Sequence, residues 1–219
     1  MELDDLDQIQ TSVRSTYDQV AVDYVLQLSD ELDQKPFDRV MLDWLAERVG
    51  DRGVICDLGC GPGHIARYLA GRGASVCGID LSPGMVHQAK LLNPAIEFAI
   101  GDMLDLNNIE EGSWAGIAAL YSIVNLPIDR LASAFREMFR TLMPAGIVLV
   151  TFHIGTDKHH LDEWWDHKVA IDFYFHETER IKQLLLSSGF ALSEVVERDP
   201  YPEVEYPSRR AYVFARKPG

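Results

Sequence analysis

Residues 54–63 read VICDLGCGPG: an apolar run enters Asp57, and glycine then takes every second position at Gly59, Gly61 and Gly63. A short apolar run bounded by glycine reads as a buried strand. Glycines spaced in this way remove Cβ atoms that would hold a ligand off the backbone, and they permit positive φ in a tight turn. In an open parallel sheet, ligands bind beyond the carboxyl ends of the strands, beside such a turn. The dinucleotide fingerprint at this point is G-x-G-x-x-G, which rests a pyrophosphate on a helix N-terminus. Here the spacing is G-x-G-x-G with an acid ahead of it. A carboxylate at the rim of the bend disfavours a pyrophosphate and suits a cationic ligand.

On either side of this bend the chain alternates. A strand over 54–59 precedes a helix over 64–73, a strand over 75–80, a helix over 82–92 and a strand over 96–102. AGIAALYS (115–122), a helix over 129–142 and GIVLVTF (146–152) continue the rhythm. Short apolar strands alternating with helices predict parallel βαβ units in a doubly wound α/β sheet. The tail departs from this: after a helix over 177–188, ALSEVVER (191–198) and RRAYVFARK (209–217) alternate apolar and polar residues, predicting an antiparallel hairpin at one sheet edge. Upstream, 11–34 and 37–49 read as amphipathic helices separated by Pro36.

Composition bounds the function. The 219 residues carry 20 basic and 34 acidic side chains, a net charge of −14, which disfavours general nucleic-acid binding. Cys56, Cys60 and Cys77 cannot all pair and show no CxxC spacing, so they read as reduced thiols of a cytoplasmic protein. The acidic start MELDDLDQIQ lacks the apolar core of a secretory signal, and no apolar stretch is long enough to span a bilayer. No membrane partner is expected, and monomer and homodimer stay equally open.

DLGCGPGHIARYLA (57–70) resembles motif I of the class I S-adenosylmethionine (SAM)-dependent methyltransferases, and the resemblance extends over roughly 37–217. It implies a Rossmann-like, mostly parallel seven-stranded sheet with a C-terminal antiparallel hairpin, SAM as cofactor, and a single domain over 1–219. Segment 1–36 would form a helical cap over the cofactor and 153–176 a lid on the acceptor side. Asp57, Gly59, Gly61 and Gly63 would form the cofactor bend. Asp80, ending the second strand, would take both ribose hydroxyls, with Leu81 beside it; its other reading is a helix N-cap. Asp102 and Met103 would hold the adenine, although Asp102 also suits a turn, and Leu120 closes the cofactor set at the fourth strand. RSTYDQVAVDY (14–24) resembles the Tyr-Asp-x-x-Ala-x-x-Tyr stretch that folds over the cofactor in related enzymes. Tyr17 would reach the methionine end of SAM, and Tyr24 would line the acceptor pocket; burial of both in an amphipathic helix is the competing reading.

A methyl on a sulfonium is already activated, so such a protein chiefly aligns the reactants and needs a base only for a protonated nucleophile. The ends LYSIVNLP (120–127) and VTFHIG (150–155) carry no carboxylates, so no magnesium site is expected there. Asn125-Leu126-Pro127 is not the N-P-P-Y run of DNA and glutamine methylating enzymes, which leaves a small-molecule acceptor. The tail resembles a bacterial branch of mostly unassigned substrate, whose members commonly carry histidine where this chain has Asn125. Of seven histidines, five fall within 153–176. His153, ending the fifth strand, is the candidate general base, with a backbone-bonded structural histidine as the alternative. His160 and Trp164 are read as i,i+4 on a short helix, lining the acceptor side with Tyr24, Tyr121 and Asn125. His159, Glu163 and His167 on that helix are the weaker reading as metal ligands. The expected function is in-line methyl transfer to a small molecule. A non-catalytic SAM-binding sensor or partner module is the alternative, and a nicotinamide oxidoreductase lacks its fingerprint.

Overall fold

A computed structural model describes the backbone of residues 3–219 and side chains from residue 8 onward. Helix α1 (Leu3–Leu28) is followed by a 3-10 turn (Glu31–Gln34) and by α2 (Pro36–Val49), where Pro36 sits at a position whose N–H would be unbonded anyway. The first helix thus ends earlier than the expected 34, because Ser29 and Asp30 turn the chain. The βα rhythm then runs β1 (Ile55–Leu58), α3 (His64–Gly71), β2 (Val76–Asp80), α4 (Pro83–Leu92), β3 (Glu97–Ile100) and β4 (Trp114–Leu120). It continues through α5 (Ile128–Thr141) and β5 (Leu142–His153). After β6 (Lys158–Trp164) and β7 (His167–Tyr174) come α6 (Thr178–Ser187), β8 (Ala191–Arg198) and β9 (Arg210–Arg216).

Seven strands form one sheet in the order β3-β2-β1-β4-β5-β9-β8; the first five are parallel, and the β8/β9 hairpin adds antiparallel with β9 innermost. The central strands are buried on both faces, and successive residues serve opposite cores. On β5, Val148, Val150 and Phe152 pack with α5 and α6, whereas Ile147 and Leu149 face α2 and α3. On β9, Ala211, Val213 and Ala215 take the first side, and Tyr212 and Phe214 the second. Helix α5 meets its face through Leu131, Ala134, Phe135 and Met138, the three-and-four spacing of an amphipathic helix. No helix among the described residues is long and apolar enough to cross a membrane.

The segment 153–176 corrects the sequence reading. It forms a separate antiparallel hairpin, β6 with β7, turning at Trp165 and Asp166 with φ of 50° and 64°. Positive φ at both central residues is the turn whose twist suits a tight hairpin. Spacing by four misled because it also places residues on one face of a strand.

A buried polar network ties the C-terminal strands to α2. Tyr212 donates to Asp38, Arg198 donates to the Tyr212 hydroxyl at 2.9 Å and to Asp38 at 3.1 Å, and Arg198 forks onto Glu205 at 2.7 and 2.8 Å. Arg210, buried, pairs with Glu205 at 3.1 Å, while Arg209 stays exposed against Glu197. Tyr212→Phe leaves Asp38 and Arg198 short of a partner and is expected to cost ~1–3 kcal/mol. Urea denaturation checks this, and an unchanged midpoint removes the hydroxyl from the network.

Candidate active site

The glycine bend follows β1 directly. Gly59 and Cys60 both donate to the carbonyl of Ile79, at 2.7 and 3.0 Å, so the bend is pinned to β2. Gly59, Gly61 and Gly63 all have positive φ, 79°, 51° and 80°. Their roles differ. A Cβ on Gly59 would stand 2.3 Å from Cβ of Ser122, and one on Gly63 would stand 2.7 Å from the Phe98 ring. These two glycines allow close packing of the bend against the loop after β4 and against β3. At Gly61 a Cβ would meet nothing closer than Tyr24 Cε1 at 4.0 Å; it would project into a cavity. Of the three, it is the glycine whose missing Cβ leaves open space at the cavity. Asp57 is likewise not at the rim: it is 1% exposed, lies behind the bend, and accepts from the Ala66 amide at 3.0 Å. Burial pushes its carboxyl up to about 7, with His64 opposing and Asp80 adding to the rise.

The cavity, about 250 Å³, runs along the carboxyl ends of the strands. Asp80 stands at the tip of β2, where its two oxygens accept from the amides of Gly61 at 2.8 Å and Ser82 at 2.9 Å. Burial raises its pKa and those amides lower it. The N-cap of α4 is Ser82, which accepts from Met85 at 3.0 Å, so Asp80 is not spent as that cap. Leu81, Asp102, Met103 and Leu120 also line the cavity. Asp102 accepts from the Leu104 amide at 2.8 Å, the turn role foreseen for it, while still facing the cavity.

Helix α1 covers this crevice. Val13, Tyr17 and Tyr24 line the cavity from above. Asp18, the neighbour of Tyr17, accepts from the Gly84 amide at 2.8 Å and from the Ser82 hydroxyl, fastening α1 to the start of α4. Tyr17 donates to Asn125 Oδ1 at 2.9 Å, and Asn125 Nδ2 donates to the Asp172 carbonyl at 3.0 Å. One side chain thus joins the cap, the turn after β4 and the hairpin. Trp164 lies edge-on to Tyr17 and Tyr24, at 5.8 and 6.1 Å between ring centres. It backs the tyrosines and does not line the cavity. His160 points elsewhere, paired with Asp172 at 2.7 Å and Asp162 at 3.2 Å on the exposed hairpin; its expected acceptor contact is corrected accordingly. His159 and His167 do not converge with Glu163: His159 faces the Tyr206 ring, Glu163 stands opposite Lys168, and His167 pairs with Asp23 at 2.7 Å.

Beyond β4 the cavity is lined by Tyr121, Asn125 and His153. Tyr121, held at φ 51°, bonds Tyr212 through its hydroxyl at 3.2 Å and packs against the His153 ring at 5.3 Å. His153 stacks on Phe175 at 5.3 Å, and its Nδ1 lies 2.7 Å from the Ser208 hydroxyl. Burial, with the charges of Arg210 and Lys35, pulls its pKa down to about 4. Four residues here escaped the sequence reading: Glu31, Lys35, Asp38 and His64. Glu31 accepts from Lys35 and lies 2.9 Å from His64 Nε2; those partners outweigh burial and hold its carboxyl down to about 2. The one available signal was their position beside the glycine bend and the Pro36 break.

With this geometry in view, the relatives are informative. Residues 55–146 match the methyltransferase domain family. An uncharacterized methyltransferase of Synechocystis is 30% identical, the match covering 69% of this chain and 68% of the relative. The chain belongs to the methyltransferase family. A malonyl-[acyl-carrier protein] O-methyltransferase of Enterobacter lignolyticus is 27% identical over 75% of this chain. The chain spans 62%, 53% and 38% of three such relatives, about half their length. The magnesium protoporphyrin IX methyltransferase of Synechocystis, solved with bound SAM, shares the fold with a TM-score of 0.68 at 19% identity, over 95% of this chain and 97% of that one.

The two glycines separate packing from binding. Gly63→Ala is expected to lose ~2–4 kcal/mol of stability from left-handed strain and the clash with Phe98. Gly61→Ala should cost only ~1–2 kcal/mol yet weaken S-adenosylhomocysteine binding by at least about tenfold, because its methyl enters the cavity. Urea titration and calorimetry read the two effects, and equal binding losses in both variants would contradict the assignment.

Proposed function

We propose that this chain transfers the methyl group of SAM to a small-molecule acceptor held in the far half of the cavity. The observation that carries this reading is Gly61 opening to the cavity beside Asp80, with the same cavity continuing past the tips of β4 and β5. The residues present fit the cofactor. Asp80 offers two carboxylate oxygens to vicinal hydroxyls, and their remaining lone pairs are compatible with the two amides already bound. Asp102 and Met103 suit an adenine, as acceptor for an exocyclic amine and as polarizable surface for a ring. Tyr17, fixed by Asn125, and Leu120 bound the stretch between nucleoside and acceptor. SAM supplies, when bound, a methyl on a positively charged sulfur that leaves readily.

The chain's own contribution is alignment and exclusion of water. The α1 cap, fastened through Asp18 and Asn125 and backed by Trp164, covers the crevice. His153 is fixed by Ser208 and Phe175, and its low pKa keeps the ring uncharged through the neutral range. That makes it a weak proton sink, so its role is to orient the acceptor. The polar far half of the cavity favours transfer over a sensor function.

Asp80→Ala is expected to weaken SAM binding by at least ~1.5 kcal/mol, since a charged acceptor is lost; unchanged calorimetric affinity would remove Asp80 from the ribose. His153→Ala should lower kcat/KM much more than SAM affinity. Because His153 protonates only near pH 4, the acid limb of the wild-type activity profile should lie below about pH 5. A limb at pH 6–7 that disappears in His153→Ala would restore it as the general base.

A further inference from the structure

We propose that the acceptor is a carboxylic acid, bound as its carboxylate at the Lys35 ammonium and methylated on oxygen to a methyl ester. The proposal rests on the methyltransferase reading above. The strand order places the parts of the site in sequence: Asp102 after β3, Asp80 at β2, Gly61 after β1, then Tyr121 after β4 and His153 at β5. Lys35 stands at the β4–β5 end, its nitrogen 5.4 Å from the centre of the Tyr121 ring. It is thus on the far side of the bend from the ribose acid, where an acceptor lies.

Lys35 is the one lysine or arginine among the described residues lining the cavity, and its side chain is 13% exposed, in a chain of net charge −14. An ammonium carries three hydrogens, and Glu31 takes one of them. Among the described residues Lys35 has no second hydrogen-bond acceptor. Glu31 is itself shared, its other oxygen lying 2.9 Å from His64. Asp38, the other acid at this end, is occupied by Tyr212 and Arg198. At His153, burial first, then the charges of Arg210 and Lys35, disfavour the protonated ring, with Glu205 opposing them. Lys35 therefore pairs with Glu31 through one hydrogen and keeps two to offer an oxyanion in the cavity.

The chemistry agrees. Burial lifts the phenols of Tyr17, Tyr24 and Tyr121 above their ordinary range, so none serves as a phenolate base. A carboxylate needs no base. One of its oxygens forms a bond to the methyl carbon as the carbon–sulfur bond breaks, and the bonding pair passes to sulfur. The products are a neutral ester and neutral S-adenosylhomocysteine, and no proton moves. An anion and a cation neutralise each other in this step, which a dry, covered cavity favours over water.

The test uses the full chain saturated with S-adenosylhomocysteine, whose binding is measured first by thermal shift. Benzoate, phenylacetate and octanoate are then titrated, each against its primary amide. At least one acid should bind about tenfold or more tighter than its amide, the worth of one charge-assisted contact. Lys35→Ala should erase that preference and Lys35→Arg should retain part of it. With methyl-labelled SAM, the preferred acid should yield label released as volatile methanol by mild base. If no acid is preferred over its amide, or the preference survives Lys35→Ala, the proposal falls while cofactor binding leaves the methyltransferase reading standing. If Lys35→Ala weakens S-adenosylhomocysteine and the acids in parallel, Lys35 holds the cofactor's own carboxylate and the proposal is overturned. If neither SAM nor S-adenosylhomocysteine shifts the melting temperature, the underlying reading fails first.

Discussion

The amides of Gly61 and Ser82 converge on the carboxylate of Asp80, and the rest of the site depends on that convergence. One amide belongs to the bend after β1 and the other to the entry into α4, so a single side chain fixes the floor of the cavity across two βα units. Burying a carboxylate is costly unless it is hydrogen-bonded, and here the hydrogen bonds come from backbone that must bend at this place anyway. Gly61 supplies its amide at φ 51°, a conformation a residue without Cβ adopts at no steric cost, and leaves the cavity open beside it. Floor and ligand space are therefore one construction.

The roof is assembled from segments far apart in sequence. Asp18 fastens α1 to α4, Tyr17 reaches Asn125, and Asn125 reaches the backbone of β7. His167 adds a tie from the hairpin turn back to Asp23 on α1. Each link is polar and local, whereas the aromatic cluster of Tyr17, Tyr24, Trp164 and Trp165 fills the space between them. Edge-on aromatic pairs of this kind add specific geometry to apolar burial.

The far end of the cavity has a different character from the chain as a whole. Acidic side chains outnumber basic ones in the chain, yet here Lys35, Arg198 and Arg210 gather around Tyr121, Tyr212 and His153, matched by Glu31, Asp38 and Glu205. Net charge governs solubility and long-range steering; the chemistry of a pocket follows from the few groups that are desolvated together. Those groups come from α2 and the turn before it, from the turn after β4, from β5, β8 and β9, and from the loop between β8 and β9.

The amino-acid sequence by itself determined the sheet, its parallel half and its terminal hairpin, because period-two and continuous apolar runs are local signals that survive any context. It also determined the bend and the acids at the ends of β2 and β3, where one backbone geometry requires particular residues at fixed spacing. Tertiary structure alone decided which of three alternating glycines opens to the cavity, that Asp57 lies behind the bend, and that His160 turns away from the cavity on a strand and not a helix. It alone brought Glu31, Lys35, Asp38 and His64 to the same cavity. Backbone preference is written in neighbouring residues, whereas the facing of a side chain is set by what packs against it from elsewhere in the chain.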